Sequence, residues 1–358
     1  MRTHRIASMG GDGIGPEVIA AAEHVLAAVA KAEGSFSVDF TRFDWGSAMY
    51  RATGRMMPED GLAQLEGFDA ILFGAVGAPD IPDDVTLWGL RLAICQGFDQ
   101  FANVRPTRLL PGVRGPLREE LGRQIDWVIV RENSEGEYAG VGGRAHRGLP
   151  IEVGMDVAVF TRAGIERICR HACELAMARP RRLLTVVTKS NAQRHGMVLW
   201  DEVCAEVCAA YPALTVDRML VDAMTARMVM KPGSVDTVVA SNLHADILSD
   251  LASALAGSLG IGATANVDPT RRRPSMFEPI HGSAFDITGK GIANPLGSFW
   301  TGAMMLDHLG EPAAARRLMA AVEAVTARGA VLTPDLGGTA TTGQVTEAVI
   351  AAIGGANA

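Results

Sequence analysis

Short apolar runs alternate with amphipathic, helix-forming segments from the first residues onward, and no other feature of the sequence restricts the possible folds as much. HRIASM (4–9) reads as a strand; GGDGIG follows, then PEVIAAAEHVLAAVAKA, an alanine-rich amphipathic helix with Pro16 near its first turn. FSVDFTRF is a second strand, a short helix lies near Glu59 to Leu65, and DAILFGAVGAP is a third strand ended by Gly74, Gly77 and Pro79. Strands alternating with helices predict an α/β fold with a parallel sheet covered on both faces. The chain has 358 residues, 48% of them hydrophobic, which supplies core for two domains.

Composition excludes several function classes. A net charge of −7 argues against a nucleic-acid surface. No apolar run approaches the roughly eighteen residues that span a bilayer, so no membrane partner is expected. MRTHRIASMGGDG is broken too early by glycine and aspartate to serve as a secretory signal, and five cysteines in a chain of this length suggest reduced thiols in a cytoplasmic protein. Cys169 with Cys173, and Cys204 with Cys208, are spaced as on helices, whereas zinc sites usually present C-x-x-C on turns; these four read as small core residues.

The glycine loop at Gly11, Gly13 and Gly15 puts backbone N–H groups at a helix start, but its spacing is G-x-G-x-G, not G-x-G-x-x-G, so it is not read as a dinucleotide fingerprint. Farther on, LWGLRLAICQGFDQFANVRPTRLL carries a helix with Arg91 into a strand with Arg105, and the strand DWVIVRENSEGEY carries Arg131 and Tyr138 at its end. Basic residues on successive elements form either a carboxylate cradle or scattered surface charge. Residues 139–160 are glycine-rich and leave the βα rhythm as a hairpin or arm. A helix at 163–178 and the strand RRLLTVVTKS follow, with Lys189 and Asn191 at its carboxyl end, where α/β sheets usually place functional groups. Next come a helix at 197–210 and the strand LTVDRMLVDAM, which bears Asp222. Helices at 312–327 and 341–353 close the chain, and Arg271 to Arg273 read as a solvated turn.

The stretch SNLHADILSDLASALA (241–256) places Asp246 and Asp250 four residues apart on one helix face, while Ile247, Leu248, Leu251 and Leu255 can turn toward a core. Like charges at that spacing repel, so a cation between them is expected, and hard oxygen ligands suit Mg²⁺ or Mn²⁺. A solvated acidic face has the same spacing, and other parts of the chain must decide.

They do so together. GGDGIGPE, FANVRP, VRENSEGEY, VTKSNA, VDAM, SNLHADILSD and EPIHGSAFDITGKGIANP, in this order and over most of the chain, resemble the β-decarboxylating dehydrogenases of the isocitrate/isopropylmalate dehydrogenase family, and most closely its tartrate/D-malate branch. The resemblance implies an isopropylmalate dehydrogenase-like fold, not a classical Rossmann fold. Residues 1–102 and 256–358 would form a cofactor-binding domain, and 103–255 a substrate, metal and dimerisation domain. It also implies an NAD-dependent oxidoreductase acting on CH–OH in a small (2R)-2-hydroxy diacid, with loss of CO₂. Asp246 and Asp250 match two metal ligands, and Asp222 the third, supplied by the other subunit of a homodimer. Lys189 matches the base that takes the hydroxyl proton, also from the other subunit. A lysine acts so only where a nearby cation and partial burial favour its neutral form. Tyr138 matches the acid that protonates the enol carbon, Arg105 and Arg131 the carboxylate clamps, and Asn191 a contact near the nicotinamide. His281, Gly282, Ser283, Ala284, Asp286 and Asn294 match the adenosine pocket; Asp286 suits the ribose diol of NAD and would repel a 2′-phosphate. Phe285 replaces a proline usual in that loop.

One departure bears on substrate. Relatives commonly carry an arginine ten residues before the Arg105 position, where this chain has Cys95. Arg91, one helical turn earlier, takes the position that reads the substrate's variable substituent, and an unpaired guanidinium against an isopropyl group is costly. D-malate or tartrate is therefore expected as the dicarboxylate substrate, with 3-isopropylmalate as the alternative. A non-catalytic regulatory subunit would tend to have lost Tyr138, Lys189 or the metal acids, and this chain keeps them all. A plain nucleotide-binding protein would need no metal.

Overall fold

The computed structural model describes residues 2–355. Twelve strands alternate with helices: β1 (Arg2–Gly11), β2 (Phe36–Arg42), β3 (Ala70–Ala75), β4 (Ala102–Arg108), β5 (Asp126–Glu132), β6 (Gly136–Ala145), β7 (Val153–Val159), β8 (Leu183–Thr188), β9 (Thr215–Leu220), β10 (Thr237–Ala240), β11 (Ala263–Val267) and β12 (Ser275–Pro279). Ten of them make one sheet in the order β2-β1-β3-β12-β11-β4-β5-β10-β8-β9, and β6 pairs with β7 as a separate ribbon.

The wings of the sheet are parallel: β2-β1-β3-β12 on one side and β5-β10-β8-β9 on the other. The centre departs from the parallel expectation, because β12 with β11, β11 with β4, and β4 with β5 all pair antiparallel. The reason is the connections. β11 returns into β12 through a short loop, which permits only an antiparallel neighbour, whereas the βα units of the wings need a helical crossover.

The first helix shows how local sequence sets these crossovers. Gly15–Glu33 has Pro at its first turn and ends at Gly34 in the left-handed conformation (φ 69°), while Val18, Ile19, Ala22, Val25, Leu26 and Val29 recur at helical spacing and are buried. Each large side chain buried this way contributes about 1.5–3 kcal/mol. Helices Leu296–His308, Pro312–Arg328 and Thr342–Gly355 pack with it over the first wing, and helices Arg162–Ala178 and Gly196–Cys208 cover the second. The expected helices at 163–178, 197–210, 312–327 and 341–353 correspond to observed ones.

Three local expectations change. Asp222 is not on a strand: β9 ends at Leu220 and Asp222 lies in the first turn of the helix Val221–Met230. Tyr138 does not end the strand of Arg131; β5 stops at Glu132 and Tyr138 stands on β6. Ile247 is 51% exposed, although Leu248 and Leu255 of the same helix are buried. The glycine loop packs closely. Gly13 (φ +59°) lies so close to the following half that an added Cβ would sit 1.9 Å from Ser283 O, and Ile14 N donates to that same oxygen at 2.9 Å.

Candidate active site

The antiparallel centre of the sheet builds the site, and its register explains how. Asn103 and Arg105 are two apart on β4 and so share a face; Asn103 stands opposite Arg131 on β5 and opposite Asn266 on β11, and Thr264 of β11 stands opposite Glu278 of β12. Two adjacent rows thus gather polar residues of four strands on a single face. The helix Asn242–Leu255 adds Asp246 from one end, and Arg91 comes from the other, at the close of a π-helical turn (Leu87–Arg91).

These groups meet in one cleft lined by Arg91, Arg105, Arg131, Tyr138, Asp246 and Glu278, with His281 and Gly282 at its edge. Arg105 donates to Asp246 Oδ1 (3.1 Å), Ser249 Oγ (2.6 Å) and Asn103 Oδ1 (2.8 Å). Arg131 ion-pairs with the same Asp246 oxygen and donates to Asn242 Oδ1 at 2.9 and 2.6 Å. Its guanidinium carbon lies 5.2 Å from the centre of the Tyr138 ring. Arg91 donates to Glu278 Oε1 (2.8 Å) and Asn266 Oδ1 (3.3 Å). Three guanidiniums face two carboxylates, so the cleft keeps an excess of positive charge.

Burial and neighbours set the protonation. Burial opposes a charge on Asp246, but Arg131, Arg105 and Arg91 outweigh it and hold this carboxyl below the usual range. Asp250, one turn on, is raised, first by partial withdrawal from water and then by the Asp246 charge. Burial, with Arg131 alongside, pushes Arg105 down to about 10. Burial also works against the Arg91 cation, yet the Glu278 carboxylate leads a set of interactions that raises it. Cys95, one turn beyond Arg91, is buried and pushed up to about 11 by that burial, so it stays a neutral thiol.

The other residues singled out from sequence lie elsewhere. Lys189 Nζ bonds Asp222 Oδ1 at 2.6 Å, the pair being 28% and 64% exposed at the side chain, and neither lines the cleft. Among the described residues, Asp222, Asp246 and Asp250 do not converge as a group within one chain. Asn191 and Asp286 are exposed, and Gly282 has open space where a Cβ would stand. Ser283 is buried, and Ala284 is held at φ 43°. Asn294 is buried and donates to Asp335 Oδ2 at 2.8 Å. His281 Nε2 and Ser283 Oγ are buried without a hydrogen-bond partner. Sequence reasoning overlooked Glu278 and the asparagines Asn103, Asn133, Asn242 and Asn266, although the first four stand inside the motifs quoted above. An amide or acid inside such a motif is the signal that was available.

Comparisons with known proteins agree over the full length. A family model described as isocitrate/isopropylmalate dehydrogenase matches residues 5–349. A probable tartrate dehydrogenase/decarboxylase of Agrobacterium vitis is 68% identical over 357 residues, covering 100% of this chain and 99% of the relative. The decarboxylating D-malate dehydrogenase of Escherichia coli is 49% identical over 356 residues, 98% of each chain. The crystal structure of isocitrate dehydrogenase from Methylococcus capsulatus superposes with a TM-score of 0.89 at 35% identity, covering 98% of this chain and 99% of that one. No helix among the described residues is long and apolar enough to cross a membrane. The chain belongs to the isocitrate/isopropylmalate dehydrogenase family and is an oxidoreductase acting on CH–OH, as its decarboxylating relatives are.

Proposed function

We propose that this enzyme oxidises and β-decarboxylates a small (2R)-2-hydroxy diacid, D-malate or tartrate, with NAD and Mg²⁺ or Mn²⁺. The observation that carries this reading is the cleft itself, where Arg105 and Arg131 converge on Asp246 and the Arg91–Glu278 pair closes the far wall. With its charge already matched by Glu278, Arg91 offers hydrogen bonds more than net charge. Such a wall fits a hydroxyl or a bare methylene, whereas an isopropyl group would strip water from a charged pair without replacing it. This favours tartrate or D-malate over 3-isopropylmalate, and the names of the relatives support the same choice.

The residues present fit both absent groups. Asp246 and Asp250 are like charges one helical turn apart, and burial first, then the Asp246 charge, raises the Asp250 carboxyl, a cost that a divalent cation between hard oxygens would relieve. When bound, that cation lowers the pKa of the substrate hydroxyl and offsets the enolate charge. The unpartnered His281 Nε2 and Ser283 Oγ, beside the open space at Gly282, fit a polar cofactor such as the adenosine part of NAD, which takes the hydride. Asp286, Ala284, Asn294 and Asn191 belong to that cofactor reading. Residues 1–102 with 256–358 would then be the cofactor domain, and 103–255 the substrate and metal domain.

In this reading Arg105 and Arg131 clamp the substrate carboxylates, Lys189 removes the hydroxyl proton, CO₂ leaves, and Tyr138 returns a proton to the enol carbon. Lys189 and Asp222 would reach the cleft of a second copy, giving a homodimer with shared sites. Support comes from the β6–β7 ribbon, which leaves Val141, Leu149, Ile151, Val153, Met155 and Val157 exposed. The five free thiols support a cytoplasmic location. The test is turnover of D-malate, tartrate, 3-isopropylmalate and isocitrate with NAD and Mn²⁺. Preference for D-malate or tartrate is expected, and preference for isopropylmalate overturns the argument from Arg91.

A further inference from the structure

One cluster of reactive side chains plays no part in the chemistry above. Helices Arg162–Ala178 and Gly196–Cys208 pack against each other, and each turns two cysteines, one helical turn apart, toward the seam. Cys208 Sγ lies 3.8 Å from Cys169 Sγ and 3.8 Å from Cys173 Sγ, and the three sulfurs fall within 4.8 Å of one another. Among the described residues, no other three side chains of His, Cys, Asp or Glu converge in this way. Cys204 stands aside; its backbone carbonyl accepts the Cys169 S–H at 3.8 Å. The two pairs are therefore core residues, as their spacing suggested, but three of the four share one point.

Size, donor set and charge point the same way. With metal–sulfur bonds of about 2.3 Å, the sulfur–sulfur edges of a trigonal site are about 4.0 Å and of a tetrahedral one about 3.8 Å. Two of the three edges already have this length. Ile165, Ile168, Ala172, Met197, Trp200 and Val203 of the same two helices are buried in one apolar cluster with these cysteines. Among the described residues no fourth His, Cys, Asp or Glu joins the three sulfurs, and structural zinc is almost always four-coordinate. Three sulfur ligands and no hard donor match a soft, monovalent, closed-shell ion, which accepts three-coordination.

We propose that Cys169, Cys173 and Cys208 form a three-coordinate site for copper(I) between these two helices. On binding, Cu⁺ gains two thiolate bonds and one dative bond from a neutral thiol, two protons leave to solvent, and no oxidation state changes. The product carries one net negative charge. Cys208 is the hub of the site, since its sulfur is the one that contacts both of the others. It is also the last residue of its helix, with 8% of its surface exposed, which gives the ion its entry. The loaded site would pin together the two helices that cover β8 and leave the cleft untouched.

The full-length protein, reduced and free of oxygen, is titrated with copper(I) alone and separately with zinc alone, then freed of excess ion and analysed for metal content. Thiolate-to-copper absorption in the ultraviolet and the unfolding temperature are followed alongside. One retained copper per chain and a higher unfolding temperature are expected, with turnover unchanged. Cys208→Ser and Cys173→Ser should weaken retention by more than about tenfold, since losing a ligand costs more than losing an outer-shell partner. Cys204→Ser should not. If Cys208→Ser does not fold, as judged by circular dichroism, Cys173→Ala carries the same test. No retained copper, equal retention in the ligand variants, or preferential retention of zinc overturns the proposal.

Discussion

In the cleft, Arg91, Arg105 and Arg131 are each almost fully buried, and each has at least one carboxylate and one neutral oxygen from the same chain as partners. At the end of β8, Lys189 and Asp222 have, among the described residues, only each other as an ion-pair partner; Lys189 is half-buried and Asp222 exposed. An exposed ion pair of that kind contributes little to stability, about 0–1 kcal/mol, whereas a buried guanidinium that loses its carboxylate is costly. On the proposed reading, one chain supplies the substrate-holding half of the site, Tyr138 included, and leaves the half that carries Lys189 open.

The largest effect expected is at the junction of the two halves. Asp246→Asn removes the carboxylate shared by Arg105 and Arg131, and turnover of D-malate with NAD and Mn²⁺ should fall by about 10³-fold or more. Calorimetry should find NAD affinity little changed, and chelation of divalent metal should abolish wild-type turnover. Full activity without metal would break the assignment of the acid pair.

Lys189→Met should lower turnover by about 10²–10⁴-fold, the range of a lost general base. The sharper measurement mixes this variant with Asp246→Asn after dissociation and reassociation. If the open half is completed by a second copy, heterodimers contain one intact site and activity returns; a mixture that stays inactive means that each chain uses its own lysine.

A smaller change is expected at the far wall. Arg91→Leu leaves Glu278 without its partner and makes the wall apolar, so kcat/KM for D-malate relative to 3-isopropylmalate should drop by about 10–200-fold. An unchanged ratio would detach Arg91 from substrate choice.

The smallest effect concerns stability away from both halves. Burial holds His171 at about 4 and His308 at about 4, below the value of an unfolded histidine. As pH falls from about 6.5 toward 4, the unfolded chain takes up protons that the folded chain refuses, so stability present above about 6.5 is lost across that window. Thermal unfolding followed over this range should show a shallower decline in His171→Gln than in the wild type. If the slopes match, burial does not control this titration.

Much of the wings was legible from sequence. Helix periodicity and the Pro16 and Gly34 signals are local, and the helices they predict end within a few residues of those observed. The antiparallel centre was not legible, because β11 pairs with β4 across a long stretch of sequence and a strand of five to seven residues carries no mark of its neighbour's direction. The meeting of the arginines in one cleft was legible only in part. The cradle exists, but its first partner is Asp246, which motif matching had placed beside a metal and not against two guanidiniums.

By itself, the sequence determined the order of elements, the family through seven ordered motifs, and the identity of the groups available for chemistry. These are local properties, written in spacing along the chain. Only the tertiary structure decided which groups meet. Arg91 finds Glu278 across 187 residues, the glycine loop is held against Ser283 and not left open for a phosphate, and three helix cysteines converge on one point. Such contacts depend on sheet register and helix packing, which the whole hydrophobic core sets at once.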